Sequence, residues 1–302
     1  MPITIASLFL ALHVAQPAGG AAPAGGQPPA APATAHPAPA SPRVETVEDL
    51  LKLIEDAEGR FRTLTAEVLF DQVKGVDADR RKRFGKIWFE DGRVQTPPGP
   101  RRFAVRFDRV QFGSRIQDEV QEYIFDGQWM VERRPAEKQI IKQQVGRPGE
   151  NLDPLRLGEG RFPLPIGQKA DAIRARYTVE MLAPEAGLEA HEVKELPALQ
   201  KFVAGTHQLK LVPVAGLIET EELKEIRLWY RTEAGSDGRT NLLPRLARTV
   251  NRANDVTLVQ MINVVLNAPV PAEVLSTVVP EGWDAQVREL PPVAPPVTPP
   301  GR

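Results

Sequence analysis

The stretch "DVTLVQMINVVLN" (Asp255–Asn267) has the composition of a β-strand, yet its two sides do not divide. The even positions Val256, Leu258, Ile262, Val264 and Leu266 are apolar, interrupted by Gln260. The odd positions still carry Val259, Met261 and Val265 among Thr257, Asn263 and Asn267. Successive side chains of a strand point to opposite faces, so a strand with one solvated face shows apolar residues on the other face only. The second apolar side of this stretch therefore needs something to touch.

Strand patterns dominate the chain around it. "LTAEVLFDQV", "FGKIWFED", "RRFAVRFDRVQ", "EYIFDG", "QWMVERR" and "EKQIIKQQV" come first; "RYTVEML", "HQLKLVPV", "KEIRLWYRT" and "LPRLARTV" lead up to it. Asp91-Gly92, Asp126-Gly127 and Asp237-Gly238 sit between apolar alternations, the usual signal of a short hairpin. Between the two groups, Pro154, Pro163 and Pro165 exclude a central strand, and short helical turns are expected around Leu155 and Ala170–Ile173. Ahead of all strands, "TVEDLLKLIEDAEGRF" reads as a helix. Thr46 and Asp49 form a capping-box pair, and Val47, Leu50, Leu51, Ile54 and Ala57 share a face. The expectation is a mainly β (α+β) chain: a curled antiparallel sheet of about 10–11 strands with an N-terminal helix and a small helical lid. One face then packs on helices or lines a hollow, and curvature screens the other.

The 302 residues, 42% hydrophobic and 25% charged, carry a formal charge of −1, so no global field favours nucleic acid. The absence of cysteine excludes disulfides, thiolate metal sites and cysteine nucleophiles. "ITIASLFLALHVA" has the length of a signal-peptide apolar region and falls short of the ~20 residues that span a bilayer, although "MP" before it lacks a basic residue. The expected organisation is a signal peptide over 1–16, a disordered Ala/Pro/Gly-rich spacer over 17–43, one domain over 44–289 and a Pro-rich tail over 290–302. Such a chain is expected in the periplasm or otherwise exported.

Chemistry is hard to find. "HEVKE" (His191–Glu195) starts like a zinc-protease helix but places Glu195 where the second histidine belongs, and His207 stands alone at the head of a strand. The basic run "DRRKRFGK" (Asp79–Lys86) lies between strand patterns with Asp77 before it, which reads as a solvated hairpin. No nucleophile elbow, phosphate loop or calcium loop is present, so the expectation is a protein without enzymatic activity, cofactor or metal. What stands out is apolar and aromatic residues at alternating strand positions: Trp88; Phe103, Val105 and Phe107; Trp129 and Val131; Leu228 and Tyr230; Met261 and Val265. They form either a core or the lining of an open cavity.

In order and spacing, "FGKIWFED", "PRRFAVRF", "YIFDGQWMVERRPAEKQ" and the closing "VQMINVVLNAPVPAEVLSTVVPEGW" resemble the outer-membrane lipoprotein carrier (LolA-like) family over most of Phe61–Trp283. The resemblance implies an unclosed β-barrel whose helix-lidded concave side holds acyl chains. By position, Trp88, Phe103, Val105 and Phe107 would line or rim that cavity. Trp129 and Met261, the latter beside Val259, complete the candidate set for a hydrophobic ligand. The implied partners are lipid or lipoprotein acyl chains and a membrane donor or acceptor protein, with no nucleic acid and a monomeric state. Two departures stand out. Gly99 precedes Pro100 where the carriers have a latch arginine, with Arg93, Arg101 and Arg102 nearby, and Leu275 or Val278 replaces a Phe ahead of Pro280. The alternative is an envelope-sensor or protein-interaction domain in which the same fold has a filled core. If Leu258, Ile262 and Val264 face the hollow instead, the fold reading stands and the choice of Met261 does not.

Overall fold

The computed structural model describes residues 44–57, 60–76, 79–150, 169–188, 195–217, 222–235 and 238–291. The segments 1–16 and 17–43, the turn expected around Leu155, residues 191–194 of "HEVKE" and the tail from residue 292 lie outside the described residues.

Helix α1 (Val47–Ala57) opens on the capping box: the Asp49 amide donates to Thr46 Oγ1 at 3.1 Å, and the Thr46 amide donates to Asp49 Oδ2 at 3.0 Å. Six strands follow: β1 (Thr63–Val73), β2 (Arg80–Asp91), β3 (Arg101–Phe112), β4 (Arg115–Phe125), β5 (Trp129–Arg134) and β6 (Gln139–Gln144). Helix α2 (Ala170–Arg174) precedes a second set: β7 (Tyr177–Leu182), β8 (His207–Pro213), β9 (Leu223–Ala234), β10 (Thr240–Asn251) and β11 (Val256–Leu266). Helix α3 (Leu196–Val203) stands between β7 and β8, and β12 (Asp284–Arg288) ends the described fold.

All twelve strands form one curled sheet, not closed into a barrel, in the order β12-β6-β5-β4-β3-β2-β1-β11-β10-β9-β8-β7. Two meanders thus meet at the centre, where β1 pairs antiparallel with β11. The opening stretch is that central strand. Its first residue, Asp255, accepts from the Gly75 amide at 2.9 Å and from Lys74 Nζ at 3.2 Å, which ties the β1–β2 turn to the β10–β11 turn. The sequence pattern missed two elements. All five residues of β12, "DAQVR", are exposed, so it has no apolar alternation to read, and it pairs parallel with β6. Helix α3 lies in a stretch whose apolar residues sit at no strand period.

Register assigns the faces. Val259 of β11 lies opposite Phe70 and Ala247, whereas its neighbour Leu258 lies opposite Asp71 and Arg248. On the front, with Val259, two apolar clusters run side by side. One joins β7–β10 to Leu50, Leu51 and Ile54 of α1 and Ile173 of α2; the other lies on β1–β4 and β11. On the back, Leu258 packs with Trp229, Leu246 and the α3 residues Leu199 and Val203. Further along the back, Ala104, Ile124, Val131 and Ile140 pack under Leu275 of a short 3₁₀ turn at Ala272–Leu275.

A β-bulge in β11 explains why the opening stretch would not divide. Register jumps from Glu67↔Ile262 to Thr65↔Val265, so Asn263 and Val264 together oppose Ala66. Asn263 sits at φ 52°, in the left-handed region where Asn is the least penalised residue after Gly. The extra residue reverses the parity. Val259 and Met261 face front before the bulge, Val264 and Leu266 after it, and Val265 is left exposed. The second apolar side touches α3 on the back. Replacing Asn263 with Val is expected to cost about 1–2 kcal/mol in urea-unfolding experiments, while Asn263→Gly stays close to the parent.

Candidate functional site

The front cluster on β1–β4 and β11 contains six aromatic rings, Phe70, Phe89, Phe103, Phe107, Tyr123 and Phe125, with Val105, Val259 and Met261 among them. Their contacts follow from register. Phe107 lies opposite Gly85 and Gln121, and Phe103 lies opposite Phe89 and Phe125. The Phe70 and Phe107 ring centroids are 5.9 Å apart, Phe103 stacks on Phe125 at 5.9 Å, and Phe107 meets Tyr123 edge-on at 6.3 Å. Gly85 is required here. A Cβ on it would stand 1.9 Å from the Arg106 carbonyl oxygen, because β3 crowds in at its register shift beside Phe107. Where described helices cap the neighbouring front cluster, this one is built, among the described residues, from strand side chains and Val145.

Of the six sequence-derived candidates, Phe103, Val105, Phe107 and Met261 come together on this face, each 2% exposed. Trp88 and Trp129 do not join them. Trp88 lies between Ile87 and Phe89 and opposite Ala104, so the two-residue period turns it to the back. There both tryptophans are half-buried beside Val270, Val274 and Trp283, and Lys142 Nζ stands 4.7 Å from the Trp129 ring centroid. A 110 Å³ pocket beside Trp88, shared with Arg106, Glu122, Arg133 and Val274, also opens on the back. Sequence reading passed over Phe70, Phe89, Tyr123 and Phe125; Phe89 was hidden by the more conspicuous Trp88 next to it.

The basic run is not a solvated hairpin. β1 and β2 pair without interruption from Thr63↔Glu90 to Val73↔Arg80, so the turn lies before Arg80 and the run enters β2. Its charges are used on both faces. On the back, Arg80 Nε donates to Asp71 Oδ1 at 2.8 Å, and Arg80 and Lys82 both bond Glu195 at the start of α3, clamping that helix to the sheet. On the front, Arg81 stacks on Phe112, and Arg83 stands 6.0 Å from the Phe107 ring centroid. Arg83 Nε is buried and has no hydrogen-bond partner among the described residues.

At the opposite end of the aromatic face the charged groups are hydrogen-bonded to one another. Asp91, 2% exposed, accepts from Arg93 Nε at 2.9 Å and Nη2 at 2.7 Å, and from buried Arg101 Nε at 3.3 Å. Arg102 pairs with Glu90 at 2.6 Å. Arg101 and Arg102 thus staple β3 to β2, and Arg93 folds back on Asp91 from the turn between them. His207 is half-buried at the start of β8, and burial lowers its pKa. No group of three His, Asp or Glu able to hold a metal occurs among the described residues, and no described helix is long and apolar enough to cross a membrane.

No protein-family model matches the chain, and no curated protein matches it. Among solved structures it is similar to an uncharacterized conserved protein from Thermus thermophilus, at 9% identity and TM-score 0.42, over 81% of this chain and 100% of that one. It is similar to a DUF1329 family protein from Desulfovibrio piger, at 13% identity and TM-score 0.39, over 76% and 95%. It is also similar to a LolA superfamily protein from Nitrosomonas europaea, at 11% identity and TM-score 0.33, over 78% and 99%. The likeness is one of fold. The last of these belongs to the family whose motifs the sequence resembles, and at these scores nothing of function is carried across.

Burial works against the charge of Asp91, but the Arg93 hydrogen bond and the charges of Arg101 and Arg93 outweigh it and hold the pKa below the ordinary aspartate value. A carboxyl depressed on folding contributes stability above its unfolded pKa, near 3.9, and loses it as pH falls through the folded value. Asp91→Asn is expected to lower stability at pH 7 by about 3 kcal/mol and to flatten the acid limb of a urea-midpoint profile below about pH 4.

Proposed function

We propose that this chain is an exported, non-enzymatic binding protein that takes a hydrophobic ligand, an acyl chain of a lipid or lipoprotein, against the front face of β1–β4 and β11. The observation that carries this reading is the aromatic cluster itself. Six rings on one sheet face, with Met261 as a deformable neighbour, form an adaptable apolar surface that needs no polar group to bind a hydrocarbon. Each acyl CH₂ transferred from water contributes about 0.8 kcal/mol. With Phe103, Val105 and Phe107 closed from solvent, a ligand enters only when the face opens, and ligand binding then shifts the chain toward the open form. A carrier would pass its cargo to a membrane-bound partner by the same opening.

The same burial favours one competing reading, a protein-interaction domain in which these rings are a permanently filled core. The two part on a simple experiment. Full-length chain purified under native conditions is extracted for lipid mass spectrometry and titrated with a fluorescent fatty acid. The binding reading expects co-purifying lipid or saturable uptake. Phe107→Leu, which stays apolar, weakens uptake several-fold, and Trp88→Phe on the back leaves it unchanged. Chain free of lipid that shows no saturable uptake contradicts the proposal and leaves the filled core.

A further inference from the structure

The two ends of the aromatic face differ in how their arginines are partnered. At the β2–β3 turn, Arg93 and Arg101 both bond the Asp91 carboxylate. At the other end Arg83 projects on the front: it lies opposite Phe70 in β1, two residues from Gly85, which faces Phe107. The side chain as a whole is half-buried and its guanidinium stands over the Phe107 ring; its Nε is sealed from solvent and has no hydrogen-bond partner among the described residues. Gln121, opposite Phe107 in β4 and 7% exposed, donates from Nε2 to Glu132 Oε1 at 2.8 Å and leaves its buried Oε1 without a partner. A buried donor and a buried acceptor are thus unmatched beside the same ring.

Leaving such groups unmatched is costly, and costliest for a charged one. The charges that reach Arg83 are those of Arg81, Glu119 and Glu132, with the Tyr123 hydroxyl also close, and none of them bonds it. Glu132 is already engaged by Arg134, with Nε at 2.9 Å and Nη2 at 2.7 Å, as well as by Gln121. Burial lowers the pKa of Arg83 from its ordinary value, yet a guanidinium stays charged at neutral pH. This end of the face therefore holds a guanidinium with no carboxylate bonded to it, one ring away from a hydrocarbon surface.

We propose that the ligand is an anionic amphiphile, whose carboxylate or phosphate head pairs with Arg83 while its tail lies along Phe107, Val105 and Phe103. In a phosphate monoanion the remaining P–OH donates to Gln121 Oε1, which a carboxylate head leaves unmatched. The inference rests on the binding reading above and narrows it from any apolar chain to one with a single anionic end.

The test compares an eighteen-carbon fatty acid, the alkyl phosphate of equal length and the neutral methyl ester, each titrated into full-length wild type and Arg83→Met at low and moderate salt. The wild type is expected to bind both anions about tenfold tighter than the ester. Arg83→Met removes that preference without changing ester binding, and Arg83→Lys restores part of it. The acid and phosphate arms show which head fits better. Equal binding of acid and ester by wild type, or equal loss of both in Arg83→Met, overturns the head-group assignment and leaves apolar binding standing. Failure of wild type to bind any of the three overturns both.

Discussion

The pairing of β1 with β11 is the constraint on which the rest of the structure depends. It joins two meanders that are local in sequence into one sheet, and it does so through a strand that has to be apolar on both sides. A regular strand meeting that demand would keep each residue class on a fixed face along its whole length. The bulge at Asn263 and Val264 breaks the rule once. Met261 and Val264 then reach the same front cluster, and Leu258 is left to hold α3 on the back. One residue in a left-handed conformation thus decides which side chains share the aromatic face.

Much of this was legible in the sequence because it is written at short range. The two-residue period showed most of the strands, the Thr46–Asp49 pair marked the start of α1, and Asp126-Gly127 marked the β4–β5 turn, where Gly127 has φ +105°. The face of each residue was less legible, because it depends on register between strands far apart in the chain. Trp88 and Phe103 look equivalent until Trp88 is paired with Ala104, and then they fall on opposite sides. Arg83 was hidden for a different reason. Within "RRKRF" every basic residue looks solvated, and only the continuation of β2 to Arg80 separates Lys82, bonded to Glu195 on the back, from Arg83, which faces the rings.

The arrangement has a simple division of labour. Helix α1 seals the front of β7–β10, helix α3 is clamped to the back through Glu195, and the segment with Val270, Val274 and Leu275 covers the back of β2–β6. Among the described residues, no helix packs on the aromatic face of β1–β4 and β11, which has arginines bonded to Asp91 at one end and Arg83, with no bonded carboxylate, at the other. The tryptophans stand apart from it: Trp88, Trp129 and Trp283 pack on the back with the closing segment, and Trp229 packs with α3.

Photolabelling tests the central claim most directly. A fatty acid carrying a diazirine midway along its chain is bound to the intact protein, irradiated, and the labelled peptides are mapped. Labels on Phe103–Phe107 and on Val259–Met261, suppressed by excess unlabelled fatty acid, are the predicted result. Competable labels confined to Trp88, Trp129 and the segment around Val274 would contradict it, because the ligand would then lie on the other side of the sheet.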